Sequence, residues 1–303
     1  MAKDLKMVFV TDIHGSTPVF KKALNVVKMF NADYLVLGGD LAGKGVLPLY
    51  KQGDRYYDID GMSFEESDVE QIRKNGYYIY TLDDKKELEN LTPADIDKIY
   101  AKFVEEQFVS WLELIKNKIP NKPVVWNFGN DDPLFLEEIF KKYDIEVKDI
   151  FELDSSSSPL LVVNCSYTNE TPYKSFRIAP DYLIFNKAEE KIKKALERSP
   201  NLIFNFHAPP YNTKTDKALV NGKWEHVGSR SVRDLIEKYQ PLLGLHGHIH
   251  ESSDKDKIGN TIVVNPGSLY QEEMLRYSII VIKREVKGLG VNYKVSSVNV
   301  LQA

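Results

Sequence analysis

Residues 5–15 read LKMVFVTDIHG, an apolar run that ends in polar residues and a glycine. The run Leu5–Val10 is typical of a buried strand, and it leads directly into Asp12 and His14. In an extended backbone these two side chains, two positions apart, point to the same side. The pair Thr17-Pro18 then predicts a helix N-cap and first turn. The stretch therefore predicts a strand, a polar loop and a helix in succession.

The same arrangement recurs along the chain, with short apolar runs that end in Gly, Asn, Asp or His. Amphipathic segments, which are typical of helices, lie between several of these runs. Such alternation predicts an α/β protein that places ligands at the carboxyl edge of its sheet. The predicted strands are Tyr34–Leu37, Val124–Phe128, Leu160–Val163, Leu202–Phe206, Pro241–Leu245 and Thr261–Val264, followed by antiparallel strands at Tyr277–Ile282 and Val291–Val300.

Composition excludes several classes of protein. The chain has 303 residues, with 40 Lys and Arg against 44 Asp and Glu, which gives a formal charge of −4. This balance argues against a disordered acidic tail and against a protein that holds long nucleic acid by charge. Cys165 is the single cysteine of the sequence, so no internal disulfide is expected. No apolar stretch approaches the roughly 18 residues of a membrane span, and we expect a cytoplasmic protein without a membrane partner.

Residues 46–119 differ from the rest of the sequence. They hold seven of the seventeen tyrosines, and 16 acidic against 10 basic residues give them a net charge of −6. A capping box at Thr92–Asp95 predicts a long helix near the end of this stretch. We interpret residues 46–119 as an acidic, cap-like insert within a single domain of residues 1–303. Its tyrosines either pack against one another or stack on a substrate.

Histidines gather at the predicted strand ends, where five of the six lie; the sixth, His226, is in a predicted loop. One histidine at a strand end is usually structural, but here carboxylates and an amide accompany several of them. Imidazole, carboxylate and amide ligands without thiolates suit manganese, iron, cobalt, nickel or zinc. The set exceeds the needs of one tetrahedral ion and predicts a two-metal site with a bridging carboxylate.

Five sequence blocks resemble the calcineurin-like metallophosphoesterase superfamily and occur in its order. The blocks are Asp12-x-His14, Gly38-Gly39-Asp40, Gly129-Asn130-Asp131-Asp132, His207-Ala-Pro-Pro and Gly247-His248-Ile249-His250. Within the superfamily, three further stretches resemble the Icc-related predicted phosphoesterases. These are Gly39–Lys44, His226-Val-Gly-Ser229 and Asn265-Pro-Gly-Ser268.

This resemblance implies a four-layer αββα sandwich of two mixed sheets with an inserted segment. It implies that Asp12, His14 and His250 hold one divalent metal and that Asp40 bridges to a second. Asn130, His207 and His248 would hold that second metal. For both metals our first expectation is manganese, with iron, zinc, nickel or cobalt as alternatives. His246 matches no ligand position, and it either supports a ligand or packs in the core. The implied chemistry is hydrolysis of a phosphate ester by a metal-bridged hydroxide, without a phosphoenzyme.

The sequence departs from the family pattern at Asp131, where many members have a histidine that acts as general acid. Asp132-Pro133 predicts the N-cap of a helix over Leu134–Tyr143, which places Asp131 beside a helix N-terminus and the metals. Both would favour the ionised carboxylate. We therefore expect slow turnover of esters with basic alcohol leaving groups and faster turnover of diesters with acidic ones. Alternatively, Asp131 caps the helix or orients a water.

Four other residues are candidates for substrate contact. Lys44, flanked by glycines, either reaches a phosphate or is an exposed lysine. His226 contacts phosphate, donates a proton in place of the missing histidine, or makes a structural hydrogen bond. Tyr211 and Asn212 follow the His207 motif, and we expect them to line the mouth of the site.

Three functions are consistent with these features. The first is a phosphodiesterase that acts on a small phosphate ester, perhaps a nucleotide. The second is a metal-dependent nuclease, which the absence of a basic stripe disfavours. The third is a scaffold that keeps the fold without catalysis, which a complete ligand set disfavours. A homo-oligomer is left open.

Overall fold

The computed structural model of this protein describes residues 4–287 and 290–303. In this part of the chain the strands are β1 (Leu5–Val10), β2 (Tyr34–Leu37), β3 (Gly45–Gln52), β4 (Arg55–Tyr57), β5 (Ser63–Phe64), β6 (Tyr77–Leu82), β7 (Val124–Val125), β8 (Ile150–Glu152), β9 (Leu161–Cys165), β10 (Leu202–Phe206), β11 (Lys217–Val220), β12 (Lys223–His226), β13 (Leu243–Leu245), β14 (Asp254–Ile258), β15 (Thr261–Asn265), β16 (Arg276–Lys287) and β17 (Gly290–Gln302). The helices are α1 (Thr17–Met29), α2 (Glu66–Lys74), α3 (Lys85–Glu89), α4 (Pro93–Lys118), α5 (Leu136–Lys142), α6 (Asp181–Leu196) and α7 (Arg230–Tyr239), with a 3₁₀ turn at Tyr270–Glu272.

Two mixed sheets form the centre of the molecule. The first has the strand order β17-β16-β1-β2-β7, and the second has the order β14-β15-β13-β10-β9-β8. β1, β2 and β7 run parallel in the first sheet, as do β9, β10, β13 and β15 in the second. The carboxyl ends of these parallel strands are the positions at which the candidate ligands follow in the sequence.

Alternation along β1 shows how the layers pack. Met7 and Phe9 lie in a core shared with residues of the second sheet such as Ile203, whereas Val8 and Val10 pack with residues of α1 and α4. A third core joins α6 and α7 to the second sheet. Because each sheet buries one face against the other and one against helices, the predicted αββα sandwich is confirmed.

Residues 45–118 build two different structures. β3 to β6 form a separate four-stranded sheet with its own small core of Leu49, Tyr56 and Val69. α4, in contrast, packs its buried face into the main core, where the ring of Trp111 stacks on that of Phe20 with centroids 4.1 Å apart. Among residues 4–287 and 290–303, no helix is long and apolar enough to cross a membrane.

Several element boundaries differ from the predictions. β7 ends at Val125, three residues before the predicted end, and Ser16 rather than Thr17 is the N-cap of α1. α5 begins at Leu136 rather than Leu134, so the predicted helix N-cap at Asp132 was wrong. The hairpin of β11 and β12 was not predicted, although the Asn-Gly turn at residues 221–222 is a hairpin signal.

Candidate metal centre

Two loops, at the carboxyl ends of β1 and β2, lie side by side. The backbone N–H of Asp12 donates to Gly39 O and that of His14 donates to Asp40 O, both at 2.9 Å. Asp12, His14 and Asp40 all have positive φ, at 54°, 44° and 51°. Such angles are uncommon outside glycine and cluster at functional sites. The prediction of an extended backbone at Asp12 and His14 was therefore wrong, although both side chains do reach the same site.

Asp12, His14 and His250 form one group of candidate metal ligands, whose ligand atoms lie within 4.8 Å of one another. His250 Nε2 lies 3.4 Å from Asp12 Oδ1 and 3.1 Å from His14 Nε2. Thr11 Oγ1 donates to Asp12 Oδ2 at 2.8 Å and fixes that carboxylate. Two imidazoles and a carboxylate this close together suit one divalent cation.

Asp40, His207 and His248 form a second such group. Asp40 also lies close to the first group, because its Oδ2 is 3.3 Å from His207 Nε2 and 3.8 Å from His14 Nε2. Asp40 thus stands between the two groups, where a carboxylate that bridges two cations would be needed. The structure therefore brings these six residues, which the family resemblance singles out, into two neighbouring groups.

His207 presents a lone pair to the carboxylates. Its Nδ1 lies 2.9 Å from Gly38 O, which assigns the ring proton to Nδ1 and leaves Nε2 unprotonated in the neutral ring. Nε2 is buried and has no hydrogen-bond partner among the described residues. Burial opposes the charged ring, but Asp40 and Asp12 raise the pKa of His207 to about 10. This site therefore takes up positive charge, as a proton or as a metal ion.

Asn130 also has an unsatisfied ligand atom. Its Nδ2 donates to Asp131 Oδ1 and to Ser175 Oγ, each at 2.8 Å, which orients the amide. Oδ1 is buried and lacks a partner in the described part of the chain. An amide oxygen held in this way fits a metal ligand. Sequence reasoning missed Ser175, because it lies 45 positions from Asn130 in a loop without a motif.

Several protonation states also suit a metal centre. Burial lowers the pKa of His14 to about 3 and that of His248 to about 4, so both rings are neutral at pH 7. Burial opposes ionisation of Asp12, yet His250 and His207 hold its pKa at about 2. Neutral imidazoles and ionised carboxylates are the forms that bind metals.

Asp132 holds two loops of the site together. Its buried carboxylate accepts the backbone N–H groups of Leu41, Ala42 and Gly129, each at 2.8 Å. Burial and Asp40 raise the pKa of Asp132 to about 7. The side chain thus ties the loop after β2 to the loop after β7, a role that the helix-cap prediction did not anticipate.

Asp131 lies in the site, but not at a helix N-terminus. Its N–H donates to Asp40 Oδ1 at 2.7 Å, and its own Oδ1 accepts from Asn130 and Ser175. In the metal-free protein, burial and Asp40 raise the pKa of Asp131. The predicted helix N-terminus at Asp131 was wrong, because α5 begins five residues later, at Leu136. That bound metals favour the ionised carboxylate stays a prediction.

His246 packs in the core and makes no part of either ligand group. Its Nδ1 lies 2.8 Å from Phe206 O and 3.0 Å from Ala208 O. Because these carbonyls flank His207, His246 fixes the loop that carries a candidate ligand. His246 therefore packs in the core and also supports a candidate ligand, so both interpretations from the sequence apply.

Lys44 and Tyr270 lie beside the first group. The Lys44 Nζ is 5.6 Å from the centroid of the Tyr270 ring, and that ring is 4.7 Å from the His14 ring. Burial opposes the ammonium charge, but Tyr270, Asp131 and Asp40 raise the pKa of Lys44. Lys44 is thus a half-buried cation next to the candidate ligands, rather than an exposed lysine.

Residues of the predicted insert hold the loops of the site. Tyr100 Oη donates to Gly43 O at 2.5 Å, and Gly43 N donates to Tyr78 Oη at 3.2 Å. Gln107 Nε2 donates to Gly15 O at 2.5 Å. These tyrosines also pack together, since the rings of Tyr78 and Tyr100 are 6.0 Å apart. For Tyr78 and Tyr100, these contacts favour packing over stacking on a substrate.

Tyr211, Asn212 and His226 lie close to one another, and none of them belongs to the two ligand groups. His226 Nδ1 is 2.7 Å from Asp216 Oδ1, and Asn212 N donates to Asp216 Oδ2 at 3.0 Å. The rings of Tyr211 and His226 meet edge to face at 6.0 Å. Asp216, which sequence reasoning missed, joins Asn212 to His226, and the Tyr211 ring contacts the His226 ring.

Known proteins resemble this chain in sequence and fold. The calcineurin-like phosphoesterase family matches residues 5–252. The uncharacterized protein MJ1162 of Methanocaldococcus jannaschii is 42% identical over 101 residues, which cover 33% of this chain and 44% of that protein. This chain thus spans less than half the length of that relative.

Two solved structures share the fold over nearly the whole chain. TT1561 of Thermus thermophilus is 15% identical, with a TM-score of 0.52 and coverage of 97% of this chain and 99% of its own. A dimetal phosphatase from Danio rerio is 8% identical, with a TM-score of 0.53 and coverage of 98% of both chains. With the family match over residues 5–252, and with two groups of candidate metal ligands at the carboxyl ends of strands from both sheets, the chain belongs to the calcineurin-like phosphoesterase family.

Proposed function

We propose that this phosphoesterase is a metal-dependent phosphodiesterase that hydrolyses a small, nucleotide-like phosphodiester with two divalent cations. The observation that carries the proposal is the position of Asp40 between two ligand groups, 3.8 Å from His14 and 3.3 Å from His207. One cation would lie with Asp12, His14 and His250, and the other with Asn130, His207 and His248. The Asp40 carboxylate would be a ligand of both cations.

The donor set supports manganese, and it is compatible with iron, zinc, nickel or cobalt. Among the residues that the structure describes, Asn130 Oδ1 and His207 Nε2 have no hydrogen-bond partner, and a second cation would satisfy both atoms. When bound, two divalent cations lower the pKa of a water and neutralise the phosphoryl oxygens that it attacks. The Danio rerio protein with this fold is described as a dimetal phosphatase, and seven ligands here are enough for two ions.

The chain's own residues bind and orient the substrate. Lys44 supplies a cation beside the first ligand group, and the Tyr270 ring holds its side chain there. A half-buried ammonium attracts a phosphoryl oxygen more strongly than an exposed one, because less water screens it. Asp131 keeps the Asn130 amide in place by accepting its Nδ2–H.

A small substrate suits the charge of the molecule. The formal charge is −4, and residues 46–119, part of which borders the site, carry −6. A long polyanion needs clustered Lys and Arg, so this balance disfavours nucleic acid as substrate. We also propose a cytoplasmic location, because the sequence has a single cysteine and no apolar stretch of membrane-spanning length.

A substrate screen on one metal-free preparation tests the proposal. Phosphomonoesters, cyclic nucleotides and linear diesters would be compared with and without added Mn²⁺. We expect Mn²⁺-dependent turnover that is fastest on a diester. Preference for simple alkyl monoesters, or turnover that persists without any metal, would overturn the assignment.

A further inference from the structure

A third set of candidate ligands overlaps the first group. Asp131, His14 and Asp40 each offer one ligand atom, and these three atoms lie within 4.8 Å of one another. His14 belongs to the first group, and Asp40 stands between the first group and the second. The Asp131 carboxylate therefore lies within reach of the position proposed for the first cation, which Asp12, His14 and His250 would hold.

Hydrogen bonds fix Asp131 in this place. Its N–H donates to Asp40 Oδ1 at 2.7 Å, and its own Oδ1 accepts from Asn130 Nδ2 at 2.8 Å and from Ser175 Oγ. Among the residues that the structure describes, none donates a hydrogen bond to Asp131 Oδ2. The side chain is thus oriented through one oxygen, and the lone pairs of the other are left for a cation.

The neighbouring carboxylates of Asp40 and Asp131 repel each other when both are ionised. Asp40 is almost fully buried, so little water screens this repulsion. A divalent cation bound to both side chains would replace the repulsion by attraction. The two donors on Asp131 Oδ1 also suit the ionised carboxylate, which accepts hydrogen bonds and binds cations through either oxygen. The surroundings of Asp131 thus fit a metal ligand.

Asn130 and Asp131 are adjacent in the chain and would contact different cations. In the described part of the chain Asn130 Oδ1 is buried without a partner, and it fits the second cation. The Nδ2–H bond from Asn130 to Asp131 Oδ1 joins the two side chains. The loop after β7 would therefore connect the two cations through this pair, as the loop after β2 does through Asp40.

We propose that Asp131 is a fifth protein ligand of the first cation, together with Asp12, His14, Asp40 and His250. The inference rests on the two-cation function proposed above. One water would complete a set of six ligands, of which three are carboxylates. Such a set suits Mn²⁺, which takes six ligands and favours carboxylate oxygen, better than zinc, which favours four ligands.

The second cation would have a different set of ligands. Its protein ligands are one shared carboxylate, one amide oxygen and two imidazoles, from Asp40, Asn130, His207 and His248. With one carboxylate instead of three, this position discriminates less against zinc. The two positions should therefore differ in metal preference, and Asp131 contributes to the difference.

A metal-bound Asp131 has no proton to give. Carboxylates bind metals in the ionised form. The leaving oxygen would therefore take no proton from Asp131, which matters little for an acidic leaving group and greatly for a basic alkoxide. The ligand role thus narrows the proposed substrate to a diester with an acidic leaving group.

Histidine-resolved metal binding tests the ligand role without turnover. The full chain, chelator-treated and ¹⁵N-labelled in its histidine rings, would be titrated with Zn²⁺, a diamagnetic probe whose free concentration a competing chelator sets. The ring signals of His14 and His250 report the first cation, and those of His207 and His248 report the second. Calorimetry with Mn²⁺ would measure the affinities of both ions in parallel.

Asp131→Asn removes the charge but keeps an oxygen that accepts from Asn130 and Ser175. It should raise the free Zn²⁺ needed to shift the His14 and His250 signals by more than about 10-fold, since even outer partners of metal ligands cost that much. The His207 and His248 signals should respond nearly as in the wild type. Asp131→Ala also removes the acceptor of the Asn130 amide, so it should weaken both cations.

Asp149→Asn, a carboxylate paired with Lys191, is the matched control and should bind both cations like the wild type. The Tm of each metal-free variant would show that it folds. Weakening by Asp131→Asn that is confined to the second pair of histidines, equal weakening of both pairs, or no weakening would show that Asp131 is not a ligand of the first cation.

The wild-type titration separates this inference from the function on which it rests. If the signals of His207 and His248 never respond, the two-cation function fails, while His14 and His250 still report on Asp131. If His14 and His250 never respond, both proposals fail. If both pairs respond and Asp131→Asn changes neither, the two-cation function stands and the ligand role of Asp131 is wrong.

Discussion

His207 Nε2 lies 3.3 Å from Asp40 Oδ2, while the other nitrogen of the same ring, Nδ1, lies 2.9 Å from Gly38 O. β10 thus places an imidazole lone pair against a carboxylate that follows β2, on the opposite sheet. Two buried acceptors this close repel unless a cation or proton joins them. The contact between the two sheets is therefore also a contact within the proposed metal centre.

Removing the carboxylate between the two groups should abolish metal-dependent turnover. We expect Asp40→Asn to lower kcat by more than about 100-fold, since even outer partners of metal ligands cost 10- to 100-fold. Mass spectrometry under native conditions would measure the bound metal in parallel. Asp149→Asn, a carboxylate in an ion pair with Lys191, is the matched control and should keep both metal and activity. Full activity in Asp40→Asn would contradict the bridging role.

Metal should stabilise the folded chain, because it binds a site that exists only after folding. At a free Mn²⁺ concentration 100 times the dissociation constant, we expect about 2.7 kcal/mol per site. Thermal unfolding of chelator-treated protein with increasing Mn²⁺ measures this effect. His207→Ala should remove most of the increase in Tm. A Tm that is independent of Mn²⁺ in the wild type would count against the site.

Ser175 should increase metal affinity, because its hydroxyl orients the Asn130 amide. Ser175→Ala removes the acceptor of one Nδ2–H bond, so the amide turns more freely. We expect Mn²⁺ affinity to fall about 10- to 100-fold, with the Tm of the metal-free protein nearly unchanged. Ser156→Ala, whose hydroxyl bonds to Asp154 at the edge of the sandwich, serves as control. Equal Mn²⁺ affinity in the Ser175 and Ser156 variants would show that Ser175 does not contribute to metal binding.

α4 should carry much of the stability of the domain. Trp111 is fully buried, stacks on Phe20, and donates its Nε1–H to Thr17 Oγ1 at 3.0 Å. Trp111→Ala should cost about 3–5 kcal/mol in the free energy of unfolding, as large aromatic deletions in cores do. Urea denaturation measures it. A loss below about 1 kcal/mol would show that α4 is dispensable to the main core.

The sequence predicts the layers well, because each strand of the sandwich is a short apolar run with a polar residue at its carboxyl end. Leu5–Val10 and Leu202–Phe206 have the predicted bounds, and they belong to different sheets that face each other. The positions of the candidate ligands could also be predicted, since ligands gather at the carboxyl ends of parallel strands. The pairing of these ligands into two groups came from the family resemblance rather than from spacing.

The misses have physical causes that are not local in sequence. Asp132 binds backbone groups of the β2 loop about 90 positions away, so an Asp-Pro pair that resembles a helix cap turned out to join two loops. The backbone at Asp12 and His14 is left-handed because the paired loops hold it there, against the preference of those residues. Asp216 has no motif of its own, and only the folded loop brings it to His226.

The number of cations bound per chain tests the central claim most directly. Chelator-treated protein would be titrated with Mn²⁺ by isothermal calorimetry, and activity on bis(p-nitrophenyl) phosphate would be measured at each addition. We expect two ions to bind per chain and activity to rise as the second one binds. Binding of one ion or none at full activity would contradict a dinuclear centre built from Asp12, His14, Asp40, Asn130, His207, His248 and His250.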